Sequence, residues 1–117
     1  MRAQNEIFQS IADMIFEKLM DEWSEIVISY KVEGVRSKET NTYLTAINGQ
    51  EVEKSLPFVP ELNRAMRELR DSVSQNGKQP FTVCRIHFKN NGQFDAEYFY
   101  DKIDWDAPSS WNFNVNR

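Results

Sequence analysis

The chain contains one cysteine and one histidine, and both lie in the same short segment. A thiol activated by an imidazole can act as a nucleophile, so Cys84 and His87 are the first residues to weigh as a catalytic pair. Residues 81–89 alternate apolar with polar side chains, which predicts a β-strand. Because positions three apart on a strand point to opposite faces of the sheet, we expect the thiol and the imidazole not to meet. We therefore interpret each residue as either packed in the fold or exposed on the surface, without a catalytic role.

Carboxylates near the C-terminus form a second candidate site. Its members are Asp95, Glu97, Asp101, Asp104 and Asp106. The first two would share one face of a strand over residues 94–100, and the other three follow that strand. A catalytic pair of carboxylates needs an apolar pocket around one member, which an open, solvated cluster does not supply. Two interpretations stay open: a hydrated acidic surface, or a docking surface for a basic protein.

Aromatic residues accompany these acids. Trp105 and Trp111 are either exposed anchors of a binding site or rings that fold back on the core. A second acidic candidate surface consists of Glu17 and Asp21, at the end of an amphipathic N-terminal helix.

The other motifs that carry chemistry are missing from the sequence. It contains no Gly-rich phosphate loop, no GxSxG elbow, no HExxH zinc helix and no calcium-binding loop. With four glycines spread along the chain, a nucleotide-binding loop is hard to build. We therefore predict a protein that is not an enzyme, with no catalytic residue, cofactor or metal. A small hydrolase that uses the C-terminal carboxylates is kept as a third hypothesis.

Length and composition limit the class of protein. At 117 residues, of which 40% are hydrophobic, the chain predicts a single folded domain over residues 1–117. A net charge of −4 argues against direct nucleic-acid binding, which needs clustered Lys and Arg. Apolar stretches are too short to span a bilayer, and the N-terminus does not resemble a signal peptide. One cysteine cannot form an internal disulfide. We expect a cytoplasmic protein with no membrane contact.

Hydrophobic periodicity predicts the order of the elements. The spacing indicates a helix over residues 3–20, strands over 26–32 and 42–47, a short third strand over 51–57, a helix from Pro60 to a stop at Asn76-Gly77, and a hairpin over 81–89 and 94–100. Gly34 and residues 37–41 are expected to form a turn or loop. The fold class is α+β: an antiparallel sheet of four to five strands with two helices packed on one face, in the order α-β-β-(β)-α-β-β. The other sheet face should be partly solvated and available to a partner.

Several short segments together resemble a known family. They are Glu22-Trp23, Thr42-Tyr43-Leu44, Glu61-Leu62, Met66-Arg67-Glu68-Leu69, Gly77-Lys78-Gln79-Pro80-Phe81-Thr82, Ile86 to Phe88, Gly92-Gln93-Phe94 and Glu97-Tyr98-Phe99-Tyr100. In this order they resemble the YezG-like family of bacterial antitoxin and immunity proteins.

The resemblance implies a function. It implies a cytoplasmic immunity protein or antitoxin that binds the C-terminal domain of a cognate toxin, often a nuclease, delivered by neighbouring cells. An acidic surface suits the basic groove of a nuclease, so we predict that this protein occludes the active site or substrate groove of its toxin. The predicted toxin-binding residues are Asp95, Glu97, Asp101, Asp104, Trp105 and Asp106, with Glu17 and Asp21 as the second surface. A non-catalytic adaptor or chaperone-like module is the alternative, and an exposed edge strand would also allow a homodimer.

Overall fold

The computed structural model describes residues 2–56 and 59–106, which form two helices and five strands. In chain order the elements are α1 (Gln4–Lys18), β1 (Glu25–Glu33), β2 (Arg36–Ile47), β3 (Gln50–Ser55), α2 (Leu62–Val73), β4 (Val83–Lys89) and β5 (Phe94–Phe99). This confirms the predicted α+β class, the order of the elements and the short third strand.

The strands form one antiparallel sheet in the order β3-β2-β1-β4-β5. The first three strands are a meander, and α2 carries the chain across to β4, which pairs with the other side of β1. The strand β1, with six of its nine residues buried, therefore lies at the centre, while β3 and β5 form the edges.

Both helices pack on the same face of this sheet. On β1 and β4 the residues on that face are Ile26, Ile28, Tyr30, Val32, Cys84, Ile86 and Phe88, all buried. The helices cover them with residues spaced three or four apart, namely Ile7, Ile11 and Ile15 on α1 and Leu62, Met66 and Leu69 on α2. The apolar side chains thus recur every 3.6 residues on the helices and every two residues on the strands, and together they form a single core.

Two arginines of α2 hold the helix to neighbouring loops. The Arg67 guanidinium donates to the carbonyls of Gly34 and Val35, at 3.1 and 3.2 Å. The Arg70 Nε donates to the Phe81 carbonyl at 2.6 Å. These bonds orient α2 against the β1–β2 turn and the start of β4. They also provide hydrogen-bond donors to loop carbonyls that are not paired with a neighbouring strand.

Two local expectations were wrong. The polar residues 37–41 belong to β2, which begins at Arg36, because a tight turn at Gly34 (φ 56°) returns the chain at once into register with β1. Backbone pairing then continues whatever the polarity of the side chains. The second helix ends at Val73, not at Asn76-Gly77. The Ser74 hydroxyl donates to the Arg70 carbonyl at 2.8 Å and satisfies one of the last carbonyls of the helix there.

The sheet face opposite the helices is solvated only at its margins. At its centre Val27 is fully buried, Ser29 is 2% exposed and Arg85 is 4% exposed. Side chains toward the edges, such as Lys38 on β2 and Asp95 on β5, are exposed. The margins and edges of this face are therefore what a partner can reach.

Neither helix suits a membrane. Among the described residues, no helix combines the length and the apolar character that a crossing requires.

We predict that Ile86→Ala lowers the free energy of unfolding by about 2–5 kcal/mol, because it leaves a cavity at a fully buried position. Urea denaturation measures the change. Val35→Ala is the control, since Val35 is 98% exposed and its truncation should change stability by less than about 0.5 kcal/mol. An Ile86→Ala variant as stable as the control would contradict this description of the core.

Candidate partner-binding surface

The cysteine and the histidine lie on opposite faces of β4. Cys84 is fully buried under the helices, opposite Tyr30 of β1, and burial raises the pKa of its thiol. His87 points to the other face, where its Nε2 lies 3.2 Å from Glu25 Oε1. The sheet itself separates the two groups, so they cannot act as a nucleophile and its base. Within residues 2–56 and 59–106, no group of three or more His, Cys, Asp or Glu is placed to hold a metal ion.

The predicted acids divide into three groups, the first of which is on β5. Asp95 and Glu97 share the face opposite the helices, where they lie across from His87 and Arg85 of β4. Glu97 Oε1 is 3.9 Å from the Arg85 guanidinium, yet its side chain is 53% exposed. We call this pair the edge acids.

The second group lies on the segment that follows β5. Asp101, Asp104 and Asp106 are exposed, and we call them the terminal acids. The Thr82 hydroxyl donates to the Asp101 carbonyl at 2.6 Å. The Asp106 amide donates to the Asp104 carboxylate at 3.1 Å, which closes a turn. Asp95 is separated from this group by the length of β5, roughly 13 Å for the four residues to Phe99 at about 3.3 Å each.

Trp105 anchors the terminal acids to the β1–β2 hairpin. Its indole Nε1 donates to Glu33 Oε1 at 2.6 Å, and the Ile103 amide donates to Glu33 Oε2 at 3.4 Å. The Arg36 guanidinium lies 4.2 Å from the centre of the indole ring, a cation–π distance. The ring is half-buried and contacts the protein through both its face and its edge. Trp111 lies outside the described residues.

Glu33 and Arg36, the two residues that contact Trp105, were not predicted from the sequence. The hydrogen bond from Trp105 lowers the pKa of the Glu33 carboxyl and is the largest influence on that pKa. Ile103, Lys102 and Arg36 also lower it, by smaller amounts. Glu33 and Trp105 are 72 positions apart in the chain. No periodicity or motif connects residues at that distance, so only the folded chain brings them together.

The third group, Glu17 and Asp21, is not a single surface of free carboxylates. Asp21 accepts hydrogen bonds from the Tyr43 hydroxyl at 2.7 Å and from Lys54 Nζ at 3.2 Å. The bond from Tyr43 is the main reason that the pKa of Asp21 is lowered. Glu17 is exposed at the end of α1. Asp21 therefore joins the end of α1 to β2 and β3.

An aromatic groove, which was not predicted from the sequence, lies between α1 and the β4–β5 hairpin. Phe8 and Phe88 contact Phe94 with ring centres 4.9 and 5.7 Å apart. The groove has a volume of about 590 Å³. Phe16, on its wall, is 38% exposed and Phe94 is 46% exposed. The one available signal was that Phe16 lies beside the main apolar stripe of α1.

We predict that Glu33→Gln weakens the attachment of the segment that carries the terminal acids. The free energy of unfolding should then change less with pH in the acidic range. A carboxyl whose pKa is lowered in the folded state stabilises the fold at pH values above its ordinary pKa of 4.5. This stabilisation is lost as the pH falls through the lowered pKa. Wild type should therefore be more stable than the variant at pH 7, and the difference should shrink toward pH 3. Urea denaturation at several pH values measures it.

Glu17→Gln is the matched control for Glu33→Gln. It removes an exposed glutamate without removing an anchor, so its free energy of unfolding at pH 7 should stay close to that of wild type. A Glu33→Gln variant that behaves like this control would contradict the anchoring role of Glu33.

We also predict that Cys84 does not react with a chromogenic aromatic disulfide in the folded protein. Burial keeps the thiol protonated and out of reach, and the thiolate is the reactive form. The absorbance of the released thiol should rise only in urea concentrations that unfold the chain. Rapid labelling under native conditions would contradict the burial of Cys84.

Comparison with known proteins identifies the family of this chain. No curated protein matches the chain. The profile described as "Immunity protein YezG-like" matches residues 4–113, nearly the whole length, which includes both helices and all five strands. The chain belongs to the YezG-like family of immunity proteins.

Proposed function

We propose that this protein binds a cognate bacterial toxin domain with nuclease activity and neutralises it by occluding its active site or substrate groove. The observation that supports this most directly is the exposure of the terminal acids, Asp101, Asp104 and Asp106, on a segment that Glu33 holds against the sheet. Carboxylates on an anchored segment keep their positions before the partner arrives, which reduces the entropy lost on binding.

The chemistry of a nuclease explains why acids would be the binding groups. A nuclease must hold phosphates, and it does so with Lys and Arg that line its groove. A protein surface with fixed carboxylates can occupy the same groove and compete with the nucleic acid. The net charge of −4 favours the approach to a basic partner and raises the rate of capture.

Neutralisation of this kind requires no reacting group in the inhibitor. A toxin whose groove is filled is inactive as long as the complex lasts, so affinity and residence time are the quantities under selection. We accordingly propose a non-catalytic protein that acts in the cytoplasm, where a delivered nuclease meets its substrate.

The aromatic groove favours a second candidate, an adaptor or chaperone-like module. Exposed rings such as those of Phe16 and Phe94 could hold an apolar segment of a client protein. Such a module would bind many segments weakly and with little dependence on salt, whereas an inhibitor of one toxin binds tightly.

Calorimetric titration against the C-terminal domain encoded immediately upstream distinguishes the two functions. We predict nanomolar binding that weakens as salt rises, because part of the attraction is between charges. Absence of binding to that domain would contradict the toxin pairing and leave the adaptor as the better description.

We predict that Asp104→Lys/Asp106→Lys slows association with the toxin domain and weakens binding by about tenfold or more, since two attractive charges become repulsive. Stopped-flow fluorescence and calorimetry measure the two effects. Glu61→Lys/Asp71→Lys changes the net charge equally, at an exposed residue just before α2 and another within it, and should leave the affinity within about twofold of wild type. Equal affinity of the two double variants would show that the terminal acids are not the contact.

A further inference from the structure

We propose that the outer edge of β5 is the docking site for a β-strand of the partner in which basic side chains alternate with apolar ones. The partner is the toxin domain of the proposed function, on which this docking site rests. Three features of the structure support this docking site: the backbone groups of the edge of β5, the different chemistry of the two faces of β5, and the aromatic groove beside it.

The backbone of β5 has hydrogen-bonding groups that face away from the sheet. The Lys89 amide donates to the Gln93 carbonyl at 2.8 Å, and the register pairs His87 with Asp95. Hydrogen bonds alternate along an antiparallel pair, so the odd-numbered residues of β5 bond to β4. The amides and carbonyls of Phe94, Ala96 and Tyr98 point outward. In the part of the chain that the structure describes, β4 is the only strand that pairs with β5.

The two faces of β5 differ in chemistry. The edge acids Asp95 and Glu97 project from the face opposite the helices, and both are exposed. Phe94, Ala96 and Tyr98 project toward the helices, where Phe94 is 46% exposed beside the aromatic groove. An added strand would therefore meet carboxylates on one face and an apolar surface on the other.

A second copy of this chain does not fit the edge. If two β5 strands pair antiparallel with their apolar residues on the same side, Asp95 lies opposite Glu97 of the other copy, or Glu97 lies opposite itself. Like charges directly opposite each other destabilise a strand pair. Acids on an edge strand are a common means of preventing self-association.

A strand with Lys or Arg at alternate positions does fit. Its basic side chains would lie opposite Asp95 and Glu97, and its intervening apolar side chains would extend the surface of Phe94 and enter the groove. Addition of a strand also satisfies the outward backbone groups of β5. A nuclease supplies basic residues around its groove, so the chemistry agrees with the proposed partner.

The first test removes one outward amide. Ala96→Pro deletes an N–H that points away from β4, so no hydrogen bond of the sheet is lost. We expect its affinity for the upstream-encoded toxin domain, measured by calorimetry, to fall by about tenfold or more. Ser55→Pro is the matched control on the other edge. The bond from the Leu56 amide to the Asn41 carbonyl places the Ser55 amide outward on β3, so this control should bind like wild type.

The second test removes the edge acids. Asp95→Asn/Glu97→Gln keeps the shape of both side chains, and we expect it to weaken binding by about fivefold and to reduce the dependence of affinity on salt. Glu61→Gln/Asp71→Asn, with one residue just before α2 and one within it, removes the same charge and should bind like wild type.

A third measurement is needed if Ala96→Pro does not fold, as judged by circular dichroism. Amide hydrogen exchange of the wild-type protein, measured by NMR with and without the toxin domain, follows the outward amides directly. Protection of the Phe94, Ala96 and Tyr98 amides in the complex supports strand addition. Unchanged exchange at these amides overturns it.

The outcomes separate this docking site from the proposed function. Tight wild-type binding that Ala96→Pro leaves unchanged would overturn the docking site and leave the proposed function intact. A wild-type protein that does not bind the toxin domain would overturn both. Sedimentation of wild type as a dimer that Ala96→Pro converts to a monomer would assign the edge to a second copy and also overturn the proposal.

Discussion

The structure depends on the pairing of β1 (Glu25–Glu33) with a strand on each side. The backbone of β1 is hydrogen-bonded to β2 on one side and to β4 on the other. The centre of the sheet is therefore fully paired without any contribution from the helices. Five consecutive residues of β1, from Ile26 to Tyr30, are buried, and they alternate between the two faces of the sheet. A strand buried on both faces fixes the register of its neighbours, since a shift of one residue would exchange all of their faces. The helices, the hairpins and the edges take their positions from this strand.

One consequence of that register is the division of polar chemistry within the sheet. The helix-covered face receives Cys84, while His87, Arg85 and the edge acids lie on the other. The residues that sequence reasoning would weigh as catalytic are thus separated by the sheet itself. The carboxylates, in contrast, lie on an edge strand and on the segment beyond it, where water and a macromolecule can both reach them. This distribution leaves the carboxylates within reach of a partner, as the proposed function requires, and the chain belongs to a family of immunity proteins.

Much of the fold could be predicted because the responsible interactions are local. The amphipathic spacing of α1 and α2 and the alternation along β1, β4 and β5 are periodic properties of short segments, and they specified the α+β class and the element order. The polar half of β2 was assigned to a loop because its pairing is determined by the tight turn at Gly34 and by the partner strand, not by its own side chains. The end of α2 was placed too late because a serine hydroxyl, not a glycine, satisfies its last turn.

The sequence alone determined the class of the fold, the order of the helices and strands, the family and the acidic character of the candidate surface, since each of these depends on composition or on residues close together in the chain. The tertiary structure decided how the acids are grouped: which pair lies on the edge of β5, which three are anchored through Trp105 to Glu33, and that Asp21 is bound by Tyr43 and Lys54. It also decided that aromatic rings from α1 and the last hairpin form one groove. These groupings join residues from distant parts of the chain, and the distance between such residues is fixed only when the strands pair and the helices pack.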